Sequence, residues 1–189
     1  MRTLALTLLA PISGAAWGSP PMLPPDLRDR VYFPDLADVA EPPIWEAKSL
    51  EHNVSRIRLS VTGIVCRSYV FRIDVRYDGS ARGIAKSWNR CRAGTPFSEE
   101  RFRLKTHELV QLNAAFERAS LWRFRNQAWT SPEGDICVDG ELMTFERLDA
   151  SGYRFAEANA QCEAPRELID AARTLITLSR QPRALGLLQ

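Results

Sequence analysis

Two stretches of the chain alternate apolar and polar side chains, and this period of two constrains the fold more than any other feature. The stretches cover residues 57–61 and 69–77, and the second is rich in aromatic and β-branched side chains. Such alternation is typical of β-strands that bury one face. Asp78-Gly79 follows the second stretch. It predicts a hairpin turn, because both residues tolerate the positive φ that such turns require.

The rest of the chain repeats an order of strands followed by a helix. Further strands are predicted at residues 84–88, 102–104, 136–138, 142–148 and 153–158. An apolar stripe with helical period begins after Thr106, the predicted N-cap, and a second helix begins near Ala164-Pro165. This order predicts an α+β fold, in which an antiparallel sheet of two strand groups packs against two helices.

The N-terminus has the pattern of a cleaved export signal. A basic start at residues 1–2 precedes an apolar run at residues 4–12, and a small-x-small motif ends at Gly18. The run is far shorter than the ~18 apolar residues of a membrane-spanning helix. The sequence therefore predicts cleavage near Gly18, no transmembrane segment, and a periplasmic or secreted protein.

Proline density sets the next predicted boundary. Residues 19–46 hold seven of the twelve prolines, a density that excludes long helices and interior strands. Residues 19–55 are predicted to form an arm. Because the arm contains large apolar side chains, part of it is expected to lie against the domain, with a partner's peptide groove as the alternative. Residues 56–181 are predicted to form one domain, and residues 182–189 a C-terminal tail.

The chain has four cysteines, Cys66, Cys91, Cys137 and Cys162. An even number in an exported chain predicts two disulfides, and sequence alone leaves three pairings open. Pairing of the first two and of the last two is favoured, since each pair is 25 residues apart and brackets predicted strands. No pair has the C-x-x-C spacing of zinc or redox sites, so neither a metal nor a cofactor is predicted.

Two sequence segments resemble motifs of a family of exported bacterial domains of unknown function. They are GIVCRSYVFRI at residues 63–73, which is followed by the D-G turn, and AFERASLW at residues 115–122. Cys66 and Tyr69 match the family's motif, whereas the motif's first cysteine and its proline are absent. The resemblance covers residues 57–178. It implies an exported α+β domain and no particular activity, because the family has none assigned.

Motifs of the common enzyme classes are missing. The sequence contains no G-x-S-x-G, no H-E-x-x-H, no P-loop and no dinucleotide-binding glycine motif. Of the two histidines, His107 falls in the first turn of a predicted helix, where an exposed side chain is expected. Two alternatives stay open: an enzyme using His107 and a carboxylate in a cleft between helix and sheet, and a structural envelope protein stapled by disulfides.

The net charge of +2 hides two segments of opposite sign. Residues 56–103 contain eleven basic and four acidic side chains, net +7, and residues 133–170 contain three basic and ten acidic ones, net −7. Strand alternation predicts that Arg58, Arg72 and Arg76 project from one exposed face, opposite the apolar side chains. Either the two segments pair with each other across strands, or the arginine face meets an anionic partner.

The favoured hypothesis is a non-enzymatic exported binding module of the bacterial cell envelope. Arg58, Arg72 and Arg76 are its predicted contacts, and an anionic envelope component or an acidic protein surface is the expected partner. Export and the near-neutral total charge argue against nucleic acid.

Overall fold

The computed structural model describes residues 36–37, 39–63, 66–92, 94, 96–123, 139–162 and 164–188. The alternating segments form six strands: β1 (Asn53–Gly63), β2 (Arg67–Arg76), β3 (Ala81–Asn89), β4 (Ser98–Leu104), β5 (Glu141–Asp149) and β6 (Gly152–Asn159). All neighbouring strands pair antiparallel in one sheet of order β4-β3-β2-β1-β5-β6. The predicted α+β fold is confirmed.

Strand β1 joins the two predicted strand groups. It pairs with β2 on one side and with β5 on the other, so that the meander and the later hairpin share one sheet. The turn predicted at Asp78-Gly79 connects β2 to β3, with Gly79 at a φ of 78°. The strand predicted at residues 136–138 lies outside the described residues.

Two α-helices, α1 (Thr106–Arg118) and α2 (Arg166–Leu178), pack on one face of the sheet. Helix α1 begins one position from the prediction: Lys105 is the N-cap, and Thr106 is the first helical residue. The Glu108 carboxylate stabilises this start, because it accepts a hydrogen bond of 2.7 Å from the Lys105 backbone N–H. That bond lowers the pKa of Glu108.

The main core fills the space between the two helices and this face. Every second strand residue meets the apolar stripes of the helices, and the Phe116 ring packs edge-on against Phe145 with ring centroids 6.2 Å apart. At the sheet edge, Gly83 lets the Phe102 ring of β4 lie across β3. A Cβ at Gly83 would come 2.1 Å from that ring, so this glycine fixes how β4 sits on β3.

Both ends of the predicted domain differ from the expected boundaries. Strand β1 begins at Asn53, three residues before the predicted start of the domain at residue 56. The predicted tail instead contains a 3-10 helix, Pro182–Leu188, whose Ala184 and Leu188 side chains are buried in the main core. A segment this short is not recognisable from helical periodicity, which needs a window of about 11 residues or more.

One predicted disulfide is confirmed. Cys66 and Cys91 are bonded, with Cα atoms 5.2 Å apart, and they close the open end of the β2–β3 hairpin. Cys162 is also disulfide-bonded. Its predicted partner, Cys137, lies outside the described residues.

Candidate functional site

The three candidate arginines lie on one face of the sheet, as the alternation predicts. Arg58 in β1 is directly opposite Arg72 in β2. Arg76 lies four residues further along β2, and alternation therefore places it on the same face. The helices pack on the other face, so we call this one the arginine face.

The predicted exposure of the arginine face is wrong over most of its area, because part of the predicted N-terminal arm lies across it. We call residues 36–37 and 39–50 the arm. Two apolar clusters hold it, one of Leu36, Val39, Val70 and Trp88, and the other of Ile44, Leu148 and Tyr153. As a result Arg58 is only 1% exposed. The expectation that part of the arm lies against the domain is confirmed.

Arg58 is held in a buried ion pair. Its Nε donates to Glu146 of β5 at 2.5 Å, directly across the strands, and its Nη1 donates to the Pro42 carbonyl oxygen of the arm at 2.8 Å. Burial alone would lower the Arg58 pKa, but the charge and the hydrogen bond of Glu146 outweigh it and raise that pKa. The interpretation in which basic and acidic strands pair is therefore confirmed at this position.

The Glu146 carboxylate also binds a buried tyrosine, Tyr153. The Tyr153 hydroxyl of β6 donates to the second oxygen of Glu146 at 2.8 Å. Burial, and next the negative charge of Glu146, raise the pKa of Tyr153. Tyr153 also packs edge-on against Trp45 of the arm, with ring centroids 6.1 Å apart. The ion pair and the arm are thus coupled through one side chain.

Glu41 of the arm neutralises the next two cations of the face. Its carboxylate accepts hydrogen bonds of 2.8 and 2.9 Å from Arg72 Nη1 and lies 2.9 Å from Lys86 Nζ. The Glu41 side chain is fully buried, and Lys86 Nζ also donates to the Val39 carbonyl oxygen at 2.7 Å. Arg58 and Arg72 are therefore covered and paired, so the ligand-contact role predicted for them does not fit this structure.

The arm leaves one corner of the arginine face uncovered. The arginines of this corner are Arg76, Arg82, Arg101 and Arg103, which we call the open arginine cluster. Arg82 of β3 and Arg103 of β4 are direct cross-strand neighbours. Within the described ranges, neither forms an ion pair. Arg76, the third candidate from the sequence, is half-buried beside them.

Carboxylates near the open arginine cluster are already engaged. Asp74 accepts a hydrogen bond of 2.5 Å from Arg56, and Glu99 lies 3.0 Å from Arg101 and 3.8 Å from Lys86. In the hairpin turn, the Asp78 carboxylate accepts a hydrogen bond from the Ser80 backbone N–H at 2.8 Å. Arg82 is directly opposite Asp74 of β2 on one side and Arg103 of β4 on the other, and the charge of Asp78 also acts on Arg76 and Arg82. The arginines of the cluster still outnumber the carboxylates near them, so the corner keeps an excess of positive charge.

Nothing in the local sequence singles out Arg82 and Arg103, although both fall in the basic segment. The available signal is the alternation of Arg101 and Arg103 around Phe102, which places both arginines on the polar face of β4. The β3–β4 register that brings Arg103 opposite Arg82 depends on tertiary pairing.

His107, the candidate of the enzymatic alternative, is exposed in the first turn of α1. A cavity lined by Phe116 and Trp122 lies at the other end of that helix, so His107 does not contribute to it. Among the described side chains, no group of three or more His, Cys, Asp or Glu could hold a metal ion.

Comparison with models of protein families finds no match, and no curated protein matches the chain. The resemblance to an exported bacterial family therefore stays a prediction. The signal peptide expected at residues 1–18 lies outside the described residues. None of the helices that the structure describes has both the length and the apolar character needed to cross a bilayer.

Proposed function

We propose that this protein is an exported, non-enzymatic binding module that contacts an anionic, phosphate-bearing surface of the cell envelope through the open arginine cluster. The observation that carries the proposal is the Arg82–Arg103 cross-strand pair. Two like charges side by side weaken a sheet. Asp74 is the neighbour of Arg82 on β2, but it is hydrogen-bonded to Arg56, and no carboxylate among the described residues forms an ion pair with Arg82 or Arg103. A bound anion would turn this repulsion into a favourable contact.

The chemistry of the pair suits phosphate groups. A guanidinium group presents donors in a planar fork that matches phosphate oxygens, and it stays charged at all physiological pH values. Side chains directly opposite each other in an antiparallel sheet have Cβ atoms about 5 Å apart. Arg82 and Arg103 can therefore converge on one phosphate group, and Arg101, which is 80% exposed, can reach a neighbouring one.

Disulfide chemistry supports export. Disulfides form and persist mainly in oxidising compartments, and both Cys66–Cys91 and Cys162 are oxidised here. This agrees with the export signal predicted from the first eighteen residues.

Vesicle binding tests the proposal. The full mature chain would be mixed with vesicles of phosphatidylcholine that contain phosphatidylglycerol, and the bound fraction measured by co-sedimentation. Reversing both charges, Arg82→Glu with Arg103→Glu, should weaken binding by about tenfold or more, because each lost charge-assisted contact is worth about 1.5 kcal/mol or more.

A charge-matched control distinguishes the effect of the open arginine cluster on binding from the effect of net charge. Arg166→Glu with Arg183→Glu makes the same change in net charge, but both arginines are exposed on elements that pack on the helix side of the sheet. The control should bind like wild type. Equal loss in both double variants, or no loss in either, would refute the proposed surface. Retention on immobilised polyglutamate without vesicle binding would instead assign an acidic protein as the partner.

A further inference from the structure

The exposed apolar side chains of the described residues gather at one end of the domain. Ser55, Val75, Ala81 and Leu104 form a row of successive cross-strand neighbours through β1, β2, β3 and β4. We call the residues beyond this row, 51–54, 76–80 and 105–110, the tip end. The large hydrophobic side chains that are exposed among the described residues all belong to the tip end, and they are Val54, Tyr77 and Val110.

Local structure keeps each of these side chains in solvent. The register of β1 against β2 shifts at Val54, which is the extra residue of a bulge, a feature that re-aims a side chain. Tyr77 is in the β2–β3 turn, which a hydrogen bond of 2.9 Å from the Arg76 backbone N–H to the Ser80 carbonyl oxygen closes. Val110 lies about 6 Å along the axis of α1 from its start. Tyr77 and Val110 are 72% and 62% exposed, so a partner can reach them directly.

Cations border these apolar side chains. Arg82 and Arg103 lie one residue inside the row, and Arg76 and Lys105 lie one residue beyond it. The exposed carboxylates that the structure describes at the tip end are those of Glu51 and Asp78. The Glu108 carboxylate is only 17% exposed and accepts the hydrogen bond that caps α1. The apolar side chains are therefore surrounded by an excess of positive charge.

This combination suits the surface of a bilayer that contains anionic phospholipids. Guanidinium and ammonium groups bind the phosphates of the headgroups. Tyrosine is enriched at the boundary between headgroups and acyl chains, because its ring is apolar and its hydroxyl is polar. A soluble phosphate polymer would engage the same cations but would leave the three apolar side chains in water.

We infer that the tip end docks onto a lipid bilayer, with Val54, Tyr77 and Val110 entering the interface between headgroups and acyl chains. Arg76, Arg82, Arg103 and Lys105 bind the surrounding phosphate groups. The inference rests on the proposed function, because it names a bilayer as the phosphate-bearing surface. It adds an apolar contribution to the electrostatic one, and attachment of a protein to a bilayer is firm when two such signals combine.

Serine substitutions remove the apolar contribution and keep every charge. The triple variant Val54→Ser, Tyr77→Ser, Val110→Ser changes only exposed side chains, so its fold should persist. In co-sedimentation with vesicles of phosphatidylcholine and phosphatidylglycerol, it should bind at least about tenfold more weakly than wild type. Tyr77→Phe keeps the ring and should bind like wild type. Polyphosphate, a soluble anion, should bind the triple variant and wild type equally, because the cations are unchanged.

Brominated phosphatidylglycerol measures insertion directly, because bromine on the acyl chains quenches nearby tryptophan fluorescence. Tyr77→Trp adds fluorescence at the tip end, and these lipids should quench the added signal. Arg166→Trp is the matched control, since this arginine is 89% exposed outside the tip end. The fluorescence that it adds should not be quenched.

Failure of the inference and failure of the proposed function give different results. A triple variant that binds vesicles like wild type, or a Tyr77→Trp signal that brominated lipid does not quench, would overturn the inference. Loss of vesicle binding in Arg82→Glu with Arg103→Glu would then still support the proposed function through charge alone. Vesicle binding that this charge reversal does not change would refute the proposed function itself. Wild-type binding to polyphosphate without binding to vesicles would overturn the inference and assign a soluble phosphate polymer as the partner.

Discussion

Glu41 is expected to control how firmly the arm holds the sheet. Its carboxylate is the only described one within ion-pair distance of both Arg72 and Lys86, at 2.8 and 2.9 Å. Glu41→Gln keeps the shape of the side chain but removes the charge. Two buried cations would then face a neutral amide, and the amide NH₂ group can only donate, as they do.

The structure sets the size of the effect. Removing one partner of a buried ion pair typically costs about 3–5 kcal/mol, because a buried charge is left uncompensated. Weaker partners remain here: Arg72 Nε lies 3.7 Å from Asp74, and Lys86 Nζ lies 3.8 Å from Glu99. Glutamine also keeps one acceptor oxygen. We therefore expect Glu41→Gln to lower the free energy of unfolding by the lower value, about 3 kcal/mol.

Glu99→Gln is the matched control, since it makes the same substitution at another carboxylate near Lys86. Glu99 is 29% exposed, whereas Glu41 is fully buried, so its ion pairs should contribute only about 0–1 kcal/mol. Urea unfolding followed by circular dichroism gives the free energy of each variant. Tryptophan fluorescence adds a signal that is sensitive to the arm, because Trp45 of the arm packs on Tyr153 and Trp88 of β3 packs against the arm.

The two measurements distinguish unfolding of the whole domain from release of the arm alone. If the arm and the sheet unfold together, circular dichroism and fluorescence midpoints fall equally in Glu41→Gln. If only the arm is released, fluorescence changes first, and trypsin cleaves faster at Lys48, which is 65% exposed at the arm's end. A Glu41→Gln variant that unfolds like Glu99→Gln, with no faster cleavage, would refute the role of Glu41 in holding the arm.

Three other features of the fold can be tested by the same unfolding measurements. Tyr153 has a pKa raised by burial and by Glu146, while an unfolded tyrosine ionises near about pH 10. The contribution of Tyr153 to the free energy of unfolding should therefore be fully present below about pH 10 and be lost as the pH rises above it. The free energy of unfolding of Tyr153→Phe should fall less steeply over this range, and equal slopes for the two proteins would contradict this. Arg58→Met or Glu146→Leu alone should cost about 3–5 kcal/mol, whereas the double variant should cost less than either, and additive losses would disprove the coupling. Replacing Cys66 and Cys91 by serine should cost up to about 3.5 kcal/mol, since the bond closes a loop of 25 residues; an unchanged midpoint would show that the bond does not stabilise the fold.

Alternation in the sequence predicted the faces of the strands but not what covers them. Arg58 and Arg72 share a face, because side chains at every second residue must point the same way. Their cover comes from the arm, whose Glu41 is 31 positions from Arg72 along the chain. Proline disfavours long helices and interior strands in the arm, which contains a short 3-10 helix, Ala47–Leu50, yet it does not prevent an extended chain from packing. Composition alone therefore cannot distinguish a solvated linker from an arm that packs against the sheet.

The order of the strands in the sheet is the second feature that local sequence patterns could not predict. Arg58 meets Glu146, 88 residues later, only because β5 pairs with β1. The sequence left open whether the basic and acidic segments pair or stay apart, since each predicted hairpin is consistent with several sheet orders. The pairing of β1 with β5 decides this, and it depends on tertiary contacts.

The sheet order also explains where positive charge is left over. In the order β4-β3-β2-β1-β5-β6, only β1 of the basic segment touches the acidic segment, so direct cross-strand neutralisation between the segments is confined to β1. Glu41 then reaches β2 and β3 from the arm. Strand β4 is the edge strand furthest from β5 and β6, and its Arg103 has Arg82 as its cross-strand neighbour. The charge available for an anionic partner therefore follows from the position of β4 in the sheet, and the near-neutral total charge gives no sign of it.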